Sequence, residues 1–412
     1  MKSLSSPFMA LRYRDFRLLW LGLLISRIGS EMQVVAVSWH IYLLTGSALS
    51  LGIIGLARFI PTIFFSFLGG IAADSIEKKW VMLVAQISMI TSSLALAITT
   101  LSGNINPLII YLLIGANSAA SAFETPARQS IVPQLVPKKH FINAVSLNTT
   151  MWHTAIVLGP SLAGFTIAFL GVGSIYIINT ISFLAVILAL ILMTTKESKG
   201  PKDVSFSLSS LVEGVSFVRR KPIIYSTMLL DFFATFFSSA TVLLPIFAKD
   251  ILMVGPAGLG LLYAAPSIGA VAASIVFSSL GHVKNQGKIL LGAVIIYGLA
   301  TILFGISRSI YLSIIFLAIT GIGDIVSTII RNTIRQLITP DYLRGRMVSV
   351  NMIFFMGGPQ LGEIEAGAVA AFLGTPASVV IGGIGTVMAT LLLAYFVPVL
   401  RNYQGDELLT SV

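Results

Sequence analysis

The chain has 412 residues, of which 56% are hydrophobic and 10% charged, and it carries a net charge of +10 and no cysteine. A soluble domain holds about 25% charged residues, so this composition excludes a soluble globular protein. The missing cysteines exclude disulfides, thiolate metal sites and cysteine nucleophiles. The positive charge does not point to nucleic acid, because the basic residues sit in short stretches between apolar runs, the pattern of membrane topology.

The first apolar run follows Arg12, Arg14 and Arg17. Arg27 and Glu31 interrupt it and no small-residue cleavage site follows, so it reads as a retained helix rather than a signal peptide. Crossing about 30 Å of hydrocarbon takes about 20 apolar residues. Such stretches predict spans at 18–44, 50–72, 80–102, 107–128, 143–170 and 173–195, then at 223–248, 258–280, 288–307, 310–331, 346–371 and 375–399. The expected fold class is all-α, a polytopic membrane protein with twelve transmembrane helices. Its two six-helix halves would be 1–195 and 223–412, joined by a cytoplasmic linker at 196–222. Within the linker Leu208, Leu211, Val212, Val215 and Val218 fall at helical spacing ahead of Arg219-Arg220-Lys221. That predicts an amphipathic helix on the inner leaflet; a solvated tether is the other reading.

Orientation follows from the basic residues. With the N-terminus inside, 22 of the 26 Lys and Arg lie on the cytoplasmic side, Lys249 and Arg308 lie outside, and Arg27 and Arg58 fall within spans. This asymmetry predicts that both termini are cytoplasmic; the expected location is the inner membrane.

The halves resemble each other. Arg128-Gln-Ser-Ile-Val-Pro133 at the end of the fourth span matches Arg335-Gln-Leu-Ile-Thr-Pro340 at the end of the tenth. Val145-Ser-Leu-Asn148 matches Val348-Ser-Val-Asn351, and Gly159-Pro160 matches Gly358-Pro359. Three collinear matches indicate a duplicated six-helix unit, an architecture of transporters that bind their cargo between repeats.

Charges within spans are candidate sites, since each costs about 2.5–3.5 kcal/mol to insert unless compensated. Glu31 lies mid-span with Arg27 four residues earlier on the same helix face. It is either a proton carrier tuned by Arg27 or half of a fixed ion pair. Asp231, Asp324, Glu363 and Glu365 also fall within spans, each a candidate for coupling or a partner for a nearby arginine. Glu363 and Glu365 are two residues apart and face different directions, which leaves open which one meets a cavity. Asp324 and Arg331 are two turns apart with Arg335 nearby. His153 is a lone intramembrane histidine, and Arg58 reads equally as a snorkelling or packing residue. The closest approach to a phosphate-binding loop, Gly281 to Ile289, has five residues between its glycines and Ile in place of Ser or Thr. No enzyme signature and no nucleotide or metal cofactor is expected, so transport would run on a gradient.

The segment Gly69-Gly70-Ile-Ala-Ala-Asp74-Ser-Ile-Glu-Lys78-Lys79 resembles the loop motif of the major facilitator superfamily. Gly70, Ala73, Asp74, Lys78 and Lys79 match it, while Ser75 and Glu77 depart. In that family the loop takes part in the inward gate, which implies a gating role for Gly70, Asp74, Lys78 and Lys79, with Arg128 grouped alongside. Gly159, Pro160 and Gly164 in the fifth span resemble the helix-bending motif of the family's antiporters, with Phe165 departing. Phe123-Glu-Thr-Pro126 through Pro133, Asn143 to Asn148, Arg14-Asp15-Phe16-Arg17 and Glu213-Gly214 through Arg219-Arg220 are similar to the branch that includes enterobactin exporters and macrolide-efflux-like proteins. The resemblance covers nearly the whole chain. It implies proton-coupled efflux of a small molecule, a siderophore or drug-like compound, by alternating access. The alternative is an uptake carrier for a nutrient or lipid on the same fold. Partners expected are the small-molecule substrate, protons and the lipid bilayer, with no nucleic acid and a monomeric chain.

Overall fold

A computed structural model describes residues 8–195, 208–279, 283–340 and 343–405. The side chains of Phe67, Asp74, Ser278 and residues 208–212 are outside that description. The described residues hold fifteen α-helices and no strand. The reason is the solvent: in hydrocarbon every backbone N–H and C=O must be met within the segment, and a helix does that alone. Eleven helical segments among the described residues are long and apolar enough to cross a membrane. They fall at eleven of the twelve predicted spans. The twelfth, α13 (Arg344–Leu373), is long enough at 30 residues but lies outside that set. Gln360, Glu363, Glu365 and five glycines dilute its apolar character.

The helices form two compact units. The first comprises Met1–Thr45 and Ala57–Phe206, the second Gly46–Leu56 and Ser207–Val412. The first unit contains α1 (Arg14–Thr45), the greater part of α2 (Ala48–Ser75), α3 (Lys78–Leu101), α4 (Pro107–Leu135), α5 (Phe141–Leu170) and α6 (Val172–Leu192). α1 packs on α6 at Gly22 and Gly29, where a Cβ would meet Ala185 O at 2.8 Å and Asn179 Oδ1 at 2.8 Å. Small residues that let backbones approach are the usual means of joining helices in lipid. A buried polar ladder adds direction to that contact. Gln33 Oε1 of α1 accepts from Ser93 of α3 and from Asn179 Nδ2 of α6, and His40 Nδ1 lies 3.1 Å from the Tyr176 hydroxyl. The Arg14-Asp15-Phe16-Arg17 segment gains a structural role here. Asp15 accepts from the Thr194 and Thr195 backbone amides just past α6, at 3.0 and 2.7 Å.

In the second unit the predicted amphipathic helix exists as α7 (Leu208–Arg220); residues 196–207 of the linker lie outside the described residues. Its described face packs on protein as well as presenting charge. Glu213 pairs with Arg346, Gly214 lies against the Arg346 carbonyl and Val218 is buried. The seventh span is broken. α8 (Pro222–Phe237) ends at Ser238, a 3-10 turn covers Ala240–Leu243, a single turn α9 (Leu244–Ile246) follows, and a wide turn closes at Phe247–Ile251. Neighbouring helices take up the hydroxyls at the break: Ser239 Oγ donates to Pro359 O at 3.2 Å and Ser238 Oγ bonds Thr386 Oγ1 at 2.7 Å. The unit is completed by α10 (Gly255–Ser279), α11 (Gln286–Ile306), α12 (Ile310–Ile338), α13, α14 (Thr375–Phe396) and the short α15 (Pro398–Arg401).

Candidate functional site

The Gly70–Lys79 segment is mostly helical, not loop. Gly70 and Asp74 lie in the last turns of α2, Lys78 and Lys79 open α3, and only Ile76-Glu77 separate the two. Of the two glycines, Gly69 makes the close approach. A Cβ there would run into the Ala122 carbonyl of α4, whereas Gly70 has open space around it. Lys79 Nζ donates to Met193 O at 3.2 Å, and the side chain of Asp74 lies outside the described residues. Arg128 likewise sits inside α4, which continues to Leu135 rather than ending near residue 128. Its Nε donates to Glu124 Oε1 at 2.9 Å.

Glu124 is the residue that sequence reasoning passed over as a site. It is buried on α4, and with Arg128 it lies within electrostatic range of Arg27. Its signal was present: an acid inside a span with an arginine four residues on. The first unit therefore gathers Arg27, Glu31, Glu124 and Arg128, two charges of each sign. The Arg27–Glu31 pair is close at 3.3 Å but not sealed, with 31% and 18% of the two side chains exposed. The Arg27 guanidinium also lies over the Trp152 ring, 3.7 Å from its centroid. A cation on an indole face is worth about 0.5–2 kcal/mol, so Arg27 keeps one favourable contact when Glu31 is neutral.

The second unit repeats the count with different wiring. Asp231 of α8 accepts from Arg331 at 3.0 Å and lies 3.7 Å from Arg335, both on α12; Asp231 is 5% exposed and Arg331 3%. Arg335 also bonds Asn351. Asp324 is held loosely, 3.8 Å from Arg331 with 52% of its side chain exposed. The three acids thus differ. Asp231 is locked between two buried arginines, while Glu31 and Asp324 can each give up one contact without stranding a buried cation. Glu363 stands apart from this cluster, on α13 against Gly55, and Glu365 is half-buried.

The Gly-Pro motifs are tied to these clusters. Gly159 of α5 packs against Glu31 and the Ile28 carbonyl of α1; Gly358 of α13 packs against Thr235 and the Phe232 carbonyl of α8. Both glycines meet residues three apart on the first helix of their unit, so the sequence repeat is also a repeat of packing. It aligns Glu31 with Thr235 and Arg27 with Asp231. Glu124 and Arg331 correspond through the fourth-span match, so the arginine and the acid exchange helices between the two units. Gly164 is buried in α5. A Cβ at Gly159 would meet the Cβ of Glu31, with Ile28 O at 3.1 Å and no flexible side-chain tip to move. Gly159→Ala is expected to cost about 1–3 kcal/mol by overpacking, read as a lower melting temperature in detergent. Gly70→Ala, with room for its methyl, is expected to leave the melting temperature unchanged or raised.

Compared with known proteins, the chain matches the family described as transmembrane secretion effector over residues 5–409. The chain belongs to that family. Among curated proteins it is similar to the enterobactin exporter EntS of Citrobacter koseri, 27% identical over 393 residues covering 94% of this chain and 93% of that protein. It is 28% identical to EntS of Salmonella typhimurium over 394 residues, 94% of each chain. Among solved structures it resembles the nucleoside transporter NupG, with a TM-score of 0.70 and 15% identity covering 95% of this chain and 100% of that one. A bacterial homologue of the iron transporter ferroportin in an inward-facing state gives a TM-score of 0.70 at 16% identity, covering 93% and 98%. At these identities the structures speak for the fold, that of major facilitator superfamily transporters. The member of the secretion effector family described here is therefore a multi-pass integral membrane protein and a secondary transporter, not an enzyme.

Proposed function

We propose that the protein exports a siderophore-class small molecule from the cytoplasm by alternating access, driven by proton influx. The observation that carries this reading is the similarity to enterobactin exporters over 94% of the chain, with two membrane acids, Glu31 and Asp324, in contacts loose enough to exchange. Glu31 is the coupling residue, Asp324 the second coupling acid, and Asp231 the anchor that holds Arg331 and Arg335. Asp74, Lys78 and Lys79 act at the inward gate, and the Gly159-Pro160 motif sets the position of Glu31. Protons and the small molecule are the partners, the chain works as a monomer in the inner membrane, α13 supplies the twelfth span, and the halves are 1–195 and 223–412.

Direction separates this reading from an uptake carrier. Deleting the protein is expected to raise the intracellular level of a siderophore and lower it in the medium, measured by chromatography of both fractions. Uptake predicts the reverse. Orientation is checked by a protease-cleavable tag after residue 412. The tag is expected to be protected in intact spheroplasts and cut in inverted vesicles, because the basic residues concentrate on the cytoplasmic side.

A further inference from the structure

We propose that the Arg27 guanidinium, lying on the partly exposed Trp152 indole, is the seat for an aromatic anion of the cargo, a ring bearing a carboxylate. The proposal rests on the export reading for the idea that the guest is cargo, and it adds the chemical class and the subsite.

A guanidinium carries five N–H donors in a flat fork suited to two oxygens at once. Here the fork is underused. Nη2 makes a single contact of 3.3 Å with Glu31, and Nε is buried with no hydrogen-bond partner among the described residues. Fork-to-fork pairing with a carboxylate gives two parallel bonds, which the Arg27–Glu31 contact does not show. The side chain is nonetheless 31% exposed, so it is not sealed within the helix packing. The Trp152 ring lies against it, with the guanidinium carbon 3.7 Å from the ring centroid. Trp152 itself is 39% exposed, so part of this aromatic residue is left uncovered beside a cation.

These features match one kind of guest. Its paired oxygens complete the fork, and its ring lies offset over the open part of the indole, the arrangement aromatic pairs prefer. A neutral isostere keeps the stacking and loses the charge-assisted bonds. Trp152 acts as a positioning residue. It keeps Arg27 compensated by the cation–π contact while Glu31 yields its place to the guest. An aliphatic residue there would leave Arg27 free to swing fully onto Glu31.

The test uses purified full-length protein in detergent and titration calorimetry with salicylate and salicylamide, which share a ring and hydroxyl and differ in charge. The parent protein is expected to bind salicylate at least about tenfold more tightly than salicylamide, the scale of a hydrogen bond to a charged group. Trp152→Leu is expected to weaken salicylate by about three- to thirtyfold, the span of a cation–π contact, and to weaken salicylamide, which has only the stacking to lose, by less, while Trp152→Phe retains most of the affinity for both. If Trp152→Leu does not purify, Arg27→Lys replaces it: the charge stays, the fork goes, and the preference for salicylate should fall. Equal binding of the two probes by the parent, or an unchanged preference in folded Trp152→Leu or Arg27→Lys, overturns the proposal. Because binding is read without flux, the two readings fail separately. Selective salicylate binding in a protein that moves no siderophore sinks export and leaves the subsite; export without selectivity does the opposite.

Discussion

Asp231→Ala is expected to destabilise the second unit by about 3–5 kcal/mol, the penalty for removing one partner of a buried ion pair. Arg331 and Arg335 are 3% and 4% exposed at their side chains and both turn to Asp231. Without it Arg331 retains the distant, exposed Asp324 and a hydrogen bond to Thr328, and Arg335 retains Asn351. Neither arrangement neutralises two cations in a membrane interior. The loss should appear as a sharp fall in membrane abundance and in melting temperature in detergent, before any transport assay. The repeat offers a rescue. In the first unit the cation stands on α1 and the acid on α4; in the second unit the order is reversed. Asp231→Arg combined with Arg331→Glu rebuilds in the second unit the polarity of the first and is expected to recover much of the lost stability. A stable Asp231→Ala protein, or a double variant no better than the single, would show that these residues are not coupled as an ion-pair core.

Glu31→Gln is expected to abolish gradient-driven efflux, to the level of protein-free vesicles, while the protein still folds and still exchanges substrate downhill. The contrast with Asp231 is the point. Arg27 is partly exposed and keeps its contact with Trp152, so neutralising Glu31 strands no buried cation. Glutamine keeps the shape of the side chain and so the packing of Gly159 against it. Accumulation inside inverted vesicles under an imposed pH gradient, beside counterflow without one, separates coupling from translocation. Arg27→Met with Glu31→Gln serves as the control for a purely structural pair. If gradient-driven efflux is intact in that double variant, Glu31 does not couple and Asp324 becomes the leading acid.

Much of this was legible in the sequence because it is local or periodic. The spans follow from runs of apolar residues, and the Arg27–Glu31 pair follows from a spacing of four on one helix. The duplication follows from the Gly159-Pro160 and Gly358-Pro359 match, which the structure turns into a repeated contact with the first helix of each unit. What escaped depends on which helices pack together. Asp231 and Arg331 are a hundred residues apart and meet only because α8 packs beside α12; no spacing rule reaches across that distance. Trp152 reads as one more apolar residue until α5 lays it under Arg27. Helix ends were also blurred. α4 and α12 run past their predicted spans because amphipathic turns carrying Arg128 and Arg335 continue the helix after the apolar signal fades.

The central claim is that a proton gradient drives a small molecule across the membrane through this protein. The most direct measurement is flux in proteoliposomes holding the purified chain, with an inwardly or outwardly directed pH gradient and a labelled siderophore. The account predicts uphill accumulation in the compartment from which protons leave, collapse of that accumulation on adding a protonophore, and its absence with Glu31→Gln. Siderophore movement that ignores the direction of the pH gradient, or persists unchanged with the protonophore, would contradict it.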